Sequence, residues 1–225
     1  MACPAVPDPL ATLHQGIDAA LERAGLRHRR SALLASATGQ VVELGAATGA
    51  NLSLYDGDRV AMVVALETHP GLRRRLLARV AGAPVPVEVH EAGIEDCGLP
   101  DAYADTVVST LALCREPDLV RALLAVRRLL RPEGSLLFLE HVRTPGPLGG
   151  LQRVASPGWS RLRHGCRLDR DVPGAAREAG LDVTECESFT LRPPNPVLRT
   201  AVVGSARPRP AGAGPGEDGA GPEGG

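Results

Sequence analysis

Residues 41–51 read VVELGAATGAN. A β-branched apolar run ends in an acid and a glycine, and small residues then lead to a second glycine and an asparagine. This is the pattern of a buried strand that turns sharply into the next element. Gly45 permits the turn, and Gly49 permits close packing of the following helix. Four further runs of the same character, RVAMVVALE, VPVEVHEA, DTVVSTLAL and SLLFLEHV, read as strands. Helical stretches over Gly71–Val80 and Pro117–Leu130 separate them, the second closed by Arg131-Pro132. Near-continuous apolar strands that alternate with helices predict a parallel sheet covered on both faces. Late in the chain, VLRTAVVGSA follows REAGLDVTECESF across a proline-rich loop with no helix between them. That arrangement suits an antiparallel hairpin at the sheet edge. The expected fold is α/β: a single Rossmann-like, doubly wound, mostly parallel sheet of about seven strands, with an antiparallel last strand at the edge.

Around this core lie two different ends. Residues 1–37 form a helical lead-in, in which LATLHQGIDAALERAG carries an apolar stripe closed by Gly25 and a shorter helix surrounds SALLAS. Residues 38–206 form the domain, with 144–173 as the region that covers the substrate. Residues 207–225 are dominated by Gly and Pro, have no large apolar side chain, and are expected to be disordered.

Composition excludes several function classes. The net charge of −1 gives no reason to expect a nucleic-acid or membrane-surface partner. Lysine is absent, and Arg73-Arg74-Arg75 reads as a solvated helix face. The five cysteines contain no CxxC pair and read as reduced thiols of a cytoplasmic protein, with Cys114 and Cys166 assigned to packing. The six histidines show no ligand spacing, so no metal is expected. No apolar run is long enough to cross a bilayer, and the start of the chain lacks the pattern of a secretory signal, so no stable membrane insertion is expected.

In an open parallel sheet, ligands bind beyond the carboxyl ends of the strands where the strand order reverses. The loop after the first strand is therefore the expected cofactor site. It lacks the GxGxxG of a dinucleotide site, and a chain without lysine cannot carry a Walker loop. The acids Glu43 and Glu67 would repel a pyrophosphate and attract a cation. Glu67 stands about 20 residues beyond the glycine turn, where an acid reaches ribose hydroxyls. A positively charged sulfonium nucleoside such as S-adenosylmethionine (SAM) suits these residues best. A nicotinamide-dependent oxidoreductase is disfavoured by the missing third glycine.

The motif ELGAATGAN resembles the glycine-loop signature of class I SAM-dependent methyltransferases. The likeness continues through ALETHP (65–70), DTVVSTLALC (105–114), VRRLLRPEGSLLFLEHV (126–142), GCRLDRD (165–171) and VVGSA. Within the class, GAN…Y, STLALC and LEHV are similar to the thiol S-methyltransferases, near the quinone-biosynthesis methyltransferases. The resemblance implies that Glu43, Gly45, Ala47, Thr48, Gly49 and Asn51 contact the methionine part of SAM. It implies Glu67 for the ribose, His69 beside the adenine, and Glu95 or Asp96 for the adenine amino group. Thr110 and Leu111 then lie near the transferable methyl. Ala47 departs from the family's glycine. A left-handed backbone there would cost alanine roughly 1 kcal/mol and weaken the cofactor site.

The expected activity is methyl transfer to a small apolar acceptor, a thiol ahead of a phenol or quinol. The alternative is a non-catalytic SAM-binding or interaction protein with a degenerate glycine loop. Thr110 and His141 are the catalytic candidates, with His141 either the base or a wall of the acceptor site. Asp105 reads as a structural turn residue. Trp159 and Phe189 are core or substrate-site lining.

Overall fold

The computed structural model describes residues 12, 16, 25–162, 166–191 and 200–210. The helix expected over residues 10–24 therefore lies outside the described residues except for Thr12 and Gly16, both helical, and the tail beyond 210 lies outside them entirely. The first helix described is α1, Leu26–Leu34, entered through Gly25 at a left-handed φ of 91°. Then follow β1 (Gly39–Leu44), β2 (Val60–Leu66), α2 (Pro70–Val80), β3 (Val87–His90) and β4 (Ala104–Thr110). The chain continues with α3 (Leu119–Leu129), β5 (Leu130–His141), α4 (Pro147–Leu162), α5 (Val172–Glu178), β6 (Leu181–Thr190) and β7 (Thr200–Pro208).

One seven-stranded sheet has the order β3-β2-β1-β4-β5-β7-β6. Strands β1 to β5 are parallel, and β7 runs antiparallel to both β5 and β6. The order reverses between β1 and β4, which places a crevice beyond the ends of these two strands.

Period-two alternation divides each strand between two cores. Val42, Leu44, Val64, Val107, Leu136 and Phe138 face α3 and α5, whereas Val41, Val63, Val108, Leu137 and Leu139 face α1 and Leu76 of α2. In α3 the buried positions Leu119, Ala122, Leu123, Val126 and Leu129 recur at helical spacing, and Asp118 caps the helix by accepting from the Arg121 amide at 3.0 Å. This cap moves the helix start past Pro117, where the sequence pattern alone would begin it. Asp105 is structural, as expected: it accepts from the Gln40 amide at 2.8 Å and pairs with Arg131, tying the start of β4 to β1.

The terminal hairpin lies at the sheet edge, but the last strand itself does not. β7 is inserted between β5 and β6, and the outermost strand is β6. Burial explains the choice: β6 is mostly exposed and acidic, whereas β7 buries Ala201, Val202 and Ala206. Charged side chains on an edge strand also discourage pairing with further chains. Gly204 makes the insertion possible, because a Cβ there would stand 2.8 Å from the Phe138 ring and collide with the Glu185 carbonyl.

The sheet also extends past residue 206, the expected domain limit. Arg207 pairs with Asp182, Pro208 with Leu181, and Arg209 forms an ion pair with Asp182 at 2.8 Å. Removing residues 211–225 is thus expected to leave the melting temperature unchanged, whereas removing 207–225 should lower it by at least about 2 °C. Scanning calorimetry of the two truncations distinguishes them, and equal melting temperatures would show that residues 207–210 add nothing to the fold.

Candidate functional site

The loops beyond β1, β2, β4 and β5 carry three polar networks. The first is centred on Glu43, an acid buried at the end of β1. Its carboxylate accepts from the Tyr55 hydroxyl at 2.7 Å and from the Asn51 amide nitrogen at 3.0 Å. The same nitrogen donates to Thr110 Oγ1 at 3.0 Å, so Asn51 bridges β1 and β4 across the crevice. Burial pushes the Glu43 carboxyl up to about 7, against the opposing effect of its hydrogen bonds and of Arg30. Burial and the neighbouring acid likewise push the Tyr55 hydroxyl well up. Asn51 Oδ1 is buried and has no hydrogen-bond partner among the described residues. It is an acceptor waiting for a donor.

The second network is centred on Glu67, at the end of β2. One carboxylate oxygen accepts from the Ala47 amide at 2.8 Å and the other from the His69 amide at 2.7 Å. Ala47 does adopt the left-handed backbone, with φ of 50°, between Gly45 at 52° and Gly49 at 77°. The loop therefore keeps the glycine conformation although alanine fills the position. At Gly49 a side chain is excluded twice, by φ and by Leu76, whose Cδ1 would lie 2.9 Å from a Cβ. Thr48 is buried and receives Arg79 from α2 at 3.2 Å. His69 caps α2, its Nδ1 accepting from the Leu72 amide at 3.4 Å.

The third network was not anticipated. Glu140, fully buried near the end of β5, accepts from Ser109 Oγ at 2.6 Å and from the amides of Ala112, Leu113 and Cys114 at 3.0–3.1 Å. One acid thus holds the whole turn after β4, and burial raises its pKa. An acid inside the run SLLFLEHV needs buried partners, which was the available signal. Held by this turn, Cys114 Sγ lies 4.0 Å from His141 Nδ1, and Cys166 Sγ lies 4.0 Å from the same nitrogen. The hydrogen bond from Cys114 brings the Cys166 thiol down to about 5, helped by His141, and the shared proton holds Cys114 well up.

The predicted residues divide accordingly. Glu43, Asn51 and Thr110 meet directly, as do Ala47, Glu67 and the His69 backbone. Leu111 has a left-handed φ of 59° and donates its amide to the Leu139 carbonyl at 2.8 Å. Glu95 instead pairs with Arg121 of α3 at 2.6 Å, and Asp96 is exposed, so neither joins the networks. Phe189 lies beneath the Arg29 guanidinium, 3.9 Å from its ring centre. Strand alternation puts Glu43, Thr110 and His141 on one face of the sheet. Tyr55, Glu140 and the cysteine pair are the members that sequence reading missed.

A methyltransferase-domain family model matches residues 42–138. Human thiol S-methyltransferase TMT1B is 36% identical over 146 residues, which cover 62% of this chain and 59% of that protein. Human thiol S-methyltransferase TMT1A is 34% identical over 137 residues, covering 58% of this chain and 55% of the relative. The chain thus spans less than two thirds of the length of these relatives. Among solved structures, a SAM-dependent methyltransferase from Leishmania major aligns with a TM-score of 0.65 at 17% identity, over 90% of this chain and 79% of that one. This likeness is one of fold.

Two outcomes test the site's energetics. Ala47→Gly relieves a left-handed alanine and should stabilise the fold by up to about 1 kcal/mol, or roughly 2–4 °C in melting temperature. A lower melting temperature would contradict the conformation. For Glu43, the folded carboxyl holds its proton up to about 7, whereas the unfolded one releases it near 4.5. Its contribution is therefore fully present below about pH 4.5, falls as pH rises through about 7, and is level above that. Glu43→Gln, which mimics the neutral form, should flatten that part of the decline in urea-unfolding free energy between about pH 5 and 8. A slope identical to that of the parent would contradict it.

Proposed function

We propose that the chain is a class I SAM-dependent methyltransferase, in line with the family model and the relatives that it matches, and that it binds SAM at the ends of β1, β2 and β4 and methylates a small apolar acceptor, a thiol in preference to a phenol or quinol. The observation that carries the SAM assignment is the buried Asn51 Oδ1, without a hydrogen-bond partner among the described residues, beside the Glu43 carboxyl. An acceptor and an acid, both withdrawn from water, suit a ligand with an ammonium group and a net positive charge. Glu67 uses one hydrogen bond on each oxygen for backbone amides, and each oxygen keeps a lone pair for a ribose hydroxyl. When bound, SAM supplies an electrophilic methyl on a positively charged sulfur. The residues here bind it, align it and exclude water.

Thr110 and Leu111 follow directly from the strand beside Asn51 and border the methyl position. His141 shares their sheet face two residues beyond Leu139, the register partner of Thr110. We assign it to the acceptor end, where it receives the acceptor's proton. Leu113, at the same turn, is fully buried in the core, and we leave it out of that site. A thiol with a pKa near ~8.5 needs less help from a base than a phenol near ~10. Similarity to the two thiol S-methyltransferases supports the same order of acceptors. The left-handed Ala47 keeps its amide on Glu67, which weighs against a degenerate loop without catalysis.

The test is a mass-spectrometric assay of an alkyl thiol, a phenol and a quinol of similar size at saturating SAM. The thiol is expected to yield its methyl thioether with S-adenosylhomocysteine, and His141→Ala to slow this by roughly 10²-fold at unchanged SAM affinity. Product from the phenol or quinol alone would overturn the thiol assignment. Binding of SAM without turnover of any acceptor would favour the non-catalytic alternative. In calorimetry Glu67→Ala should weaken SAM at least about tenfold, since hydrogen bonds to a charged acceptor are worth roughly 1.5–3 kcal/mol.

A further inference from the structure

Three segments remote in sequence bring sulfur, nitrogen and sulfur to one point. Cys114 lies in the turn after β4, His141 ends β5, and Cys166 comes after α4. Cys114 Sγ, His141 Nδ1 and Cys166 Sγ all lie within 4.8 Å of one another. Cys114 and His141 are buried, Cys166 is partly so, and both cysteines are free thiols.

From this geometry we propose that Cys114, His141 and Cys166 form a binding site for a thiophilic divalent ion of the zinc type, with its fourth position open to the acceptor. Two thiolates and an imidazole are the donor set that zinc takes in sites that keep a position for substrate. A tetrahedral ion with bonds of about 2.3 Å to sulfur and about 2.0 Å to nitrogen separates these donors by roughly 3.5 Å. The present 4.0 Å separations to His141 Nδ1 therefore need only a small contraction. Charge favours the same conclusion: two thiolates and a divalent ion sum to zero, the state a buried site tolerates best.

The ligands are held in place by bonds that do not involve their side chains. The Cys114 amide is fixed by Glu140 at 3.0 Å, and the Cys114 carbonyl accepts from the Arg167 amide at 3.0 Å. That second bond docks the residue after Cys166 directly on Cys114. Beyond it, the Arg170 carbonyl accepts from the Arg143 amide at 2.9 Å, and Arg170 donates to the Glu116 and Pro117 carbonyls. Ser156 joins α4 to the same segment through Asp169, at 2.6 Å, and through the Leu168 amide. Supported ligands of this kind bind a metal without large rearrangement.

The position of the site gives the ion a use, and this part alone rests on the methyl-transfer reading. His141 and Thr110 share a sheet face, so the open position points to the acceptor end. An acceptor thiol binding there would release its proton to solvent and stay on the ion as a thiolate. Sulfur then forms its bond to the methyl carbon as the bond from that carbon to the SAM sulfur breaks. The products are a thioether, a poor ligand that leaves, and S-adenosylhomocysteine. In the loaded protein His141 acts as a ligand, and the ion takes over its task of favouring the acceptor's thiolate.

The test uses the full chain, reduced with a phosphine, incubated with Zn²⁺ and dialysed, with metal content measured by plasma mass spectrometry. One zinc per chain is expected. Cys166→Ser should weaken binding at least about 100-fold, and Cys186→Ser, on the exposed edge strand, should leave it unchanged. Circular dichroism confirms that each variant is folded. With Co²⁺ in place of zinc, a sulfur-to-cobalt charge-transfer band should appear and shift on addition of an alkyl thiol. No bound metal, equal binding by Cys166→Ser, or loss of binding in Cys186→Ser would overturn the site. A cobalt band that ignores the thiol would overturn the open position. SAM affinity measured on the same samples separates the two readings: SAM binding without zinc refutes the ion site alone, and zinc binding without SAM refutes the methyltransferase assignment alone.

Discussion

A carboxyl group buried at the end of β1 organises the centre of this molecule. Glu43 has no water to solvate it, so its partners must come from the chain: the Tyr55 hydroxyl and the Asn51 amide. Both partners lie beyond the glycine loop, at the two ends of the short turn of helix over Leu52–Leu54. Satisfying the acid therefore folds the loop back over the strand end. Asn51 then passes the constraint to Thr110 on the neighbouring strand. The crevice between β1 and β4 exists because of strand order, but its polar lining is set by this one acid.

Two other acids repeat the same physical device at neighbouring strand ends. Glu67 collects the amides of Ala47 and His69, which locks the left-handed loop to the start of α2. Glu140 collects three amides and a hydroxyl, which shapes the turn carrying Leu111 and Cys114. Each acid costs desolvation energy and recovers it through several hydrogen bonds to its charged or polar form. The result is a row of loops whose conformations are set by buried carboxyl groups rather than by apolar packing. Such loops are rigid enough to hold a small ligand at defined distances. Among the described residues no helix is long and apolar enough to cross a membrane.

Much of this was legible in the residues themselves. The parallel strands β1, β2, β4 and β5 announce themselves through near-continuous apolar runs, because a sheet covered on both faces must bury both sides of each inner strand, whereas the edge strand β3 buries none of its residues fully. Glu43, Asn51, Ala47, Glu67 and Thr110, which join in hydrogen-bond networks, could be singled out because the glycine loop and the strand ends define where a ligand site can be. The position of β7 was harder. Two late strands can be laid down in either order, and the deciding facts are the mostly exposed surface of β6 and the fit of Gly204 against Phe138. Glu95 is harder to place from sequence, because an acid in a loop has many possible partners, and here it pairs with Arg121 on α3. The meeting of Cys114, His141 and Cys166 was invisible for a plainer reason. Residues separated by whole elements carry no spacing signal, and these adjoin only in the folded chain, where the backbone bond from Arg167 to Cys114 docks one segment on the other.

The central claim is that the carboxyl of Glu43, neutral in the free protein at mildly acidic pH because of its burial, serves a positively charged ligand. Binding a cation beside it must pull its pKa down from about 7 and expel its proton. Calorimetric titration with SAM at about pH 6, repeated in buffers of different ionisation enthalpy, measures that proton directly. The account predicts that the observed heat varies with the buffer in the sense of proton release, that the release fades by about pH 8, and that it vanishes in Glu43→Gln. Heats independent of the buffer at about pH 6, with SAM bound, would contradict it.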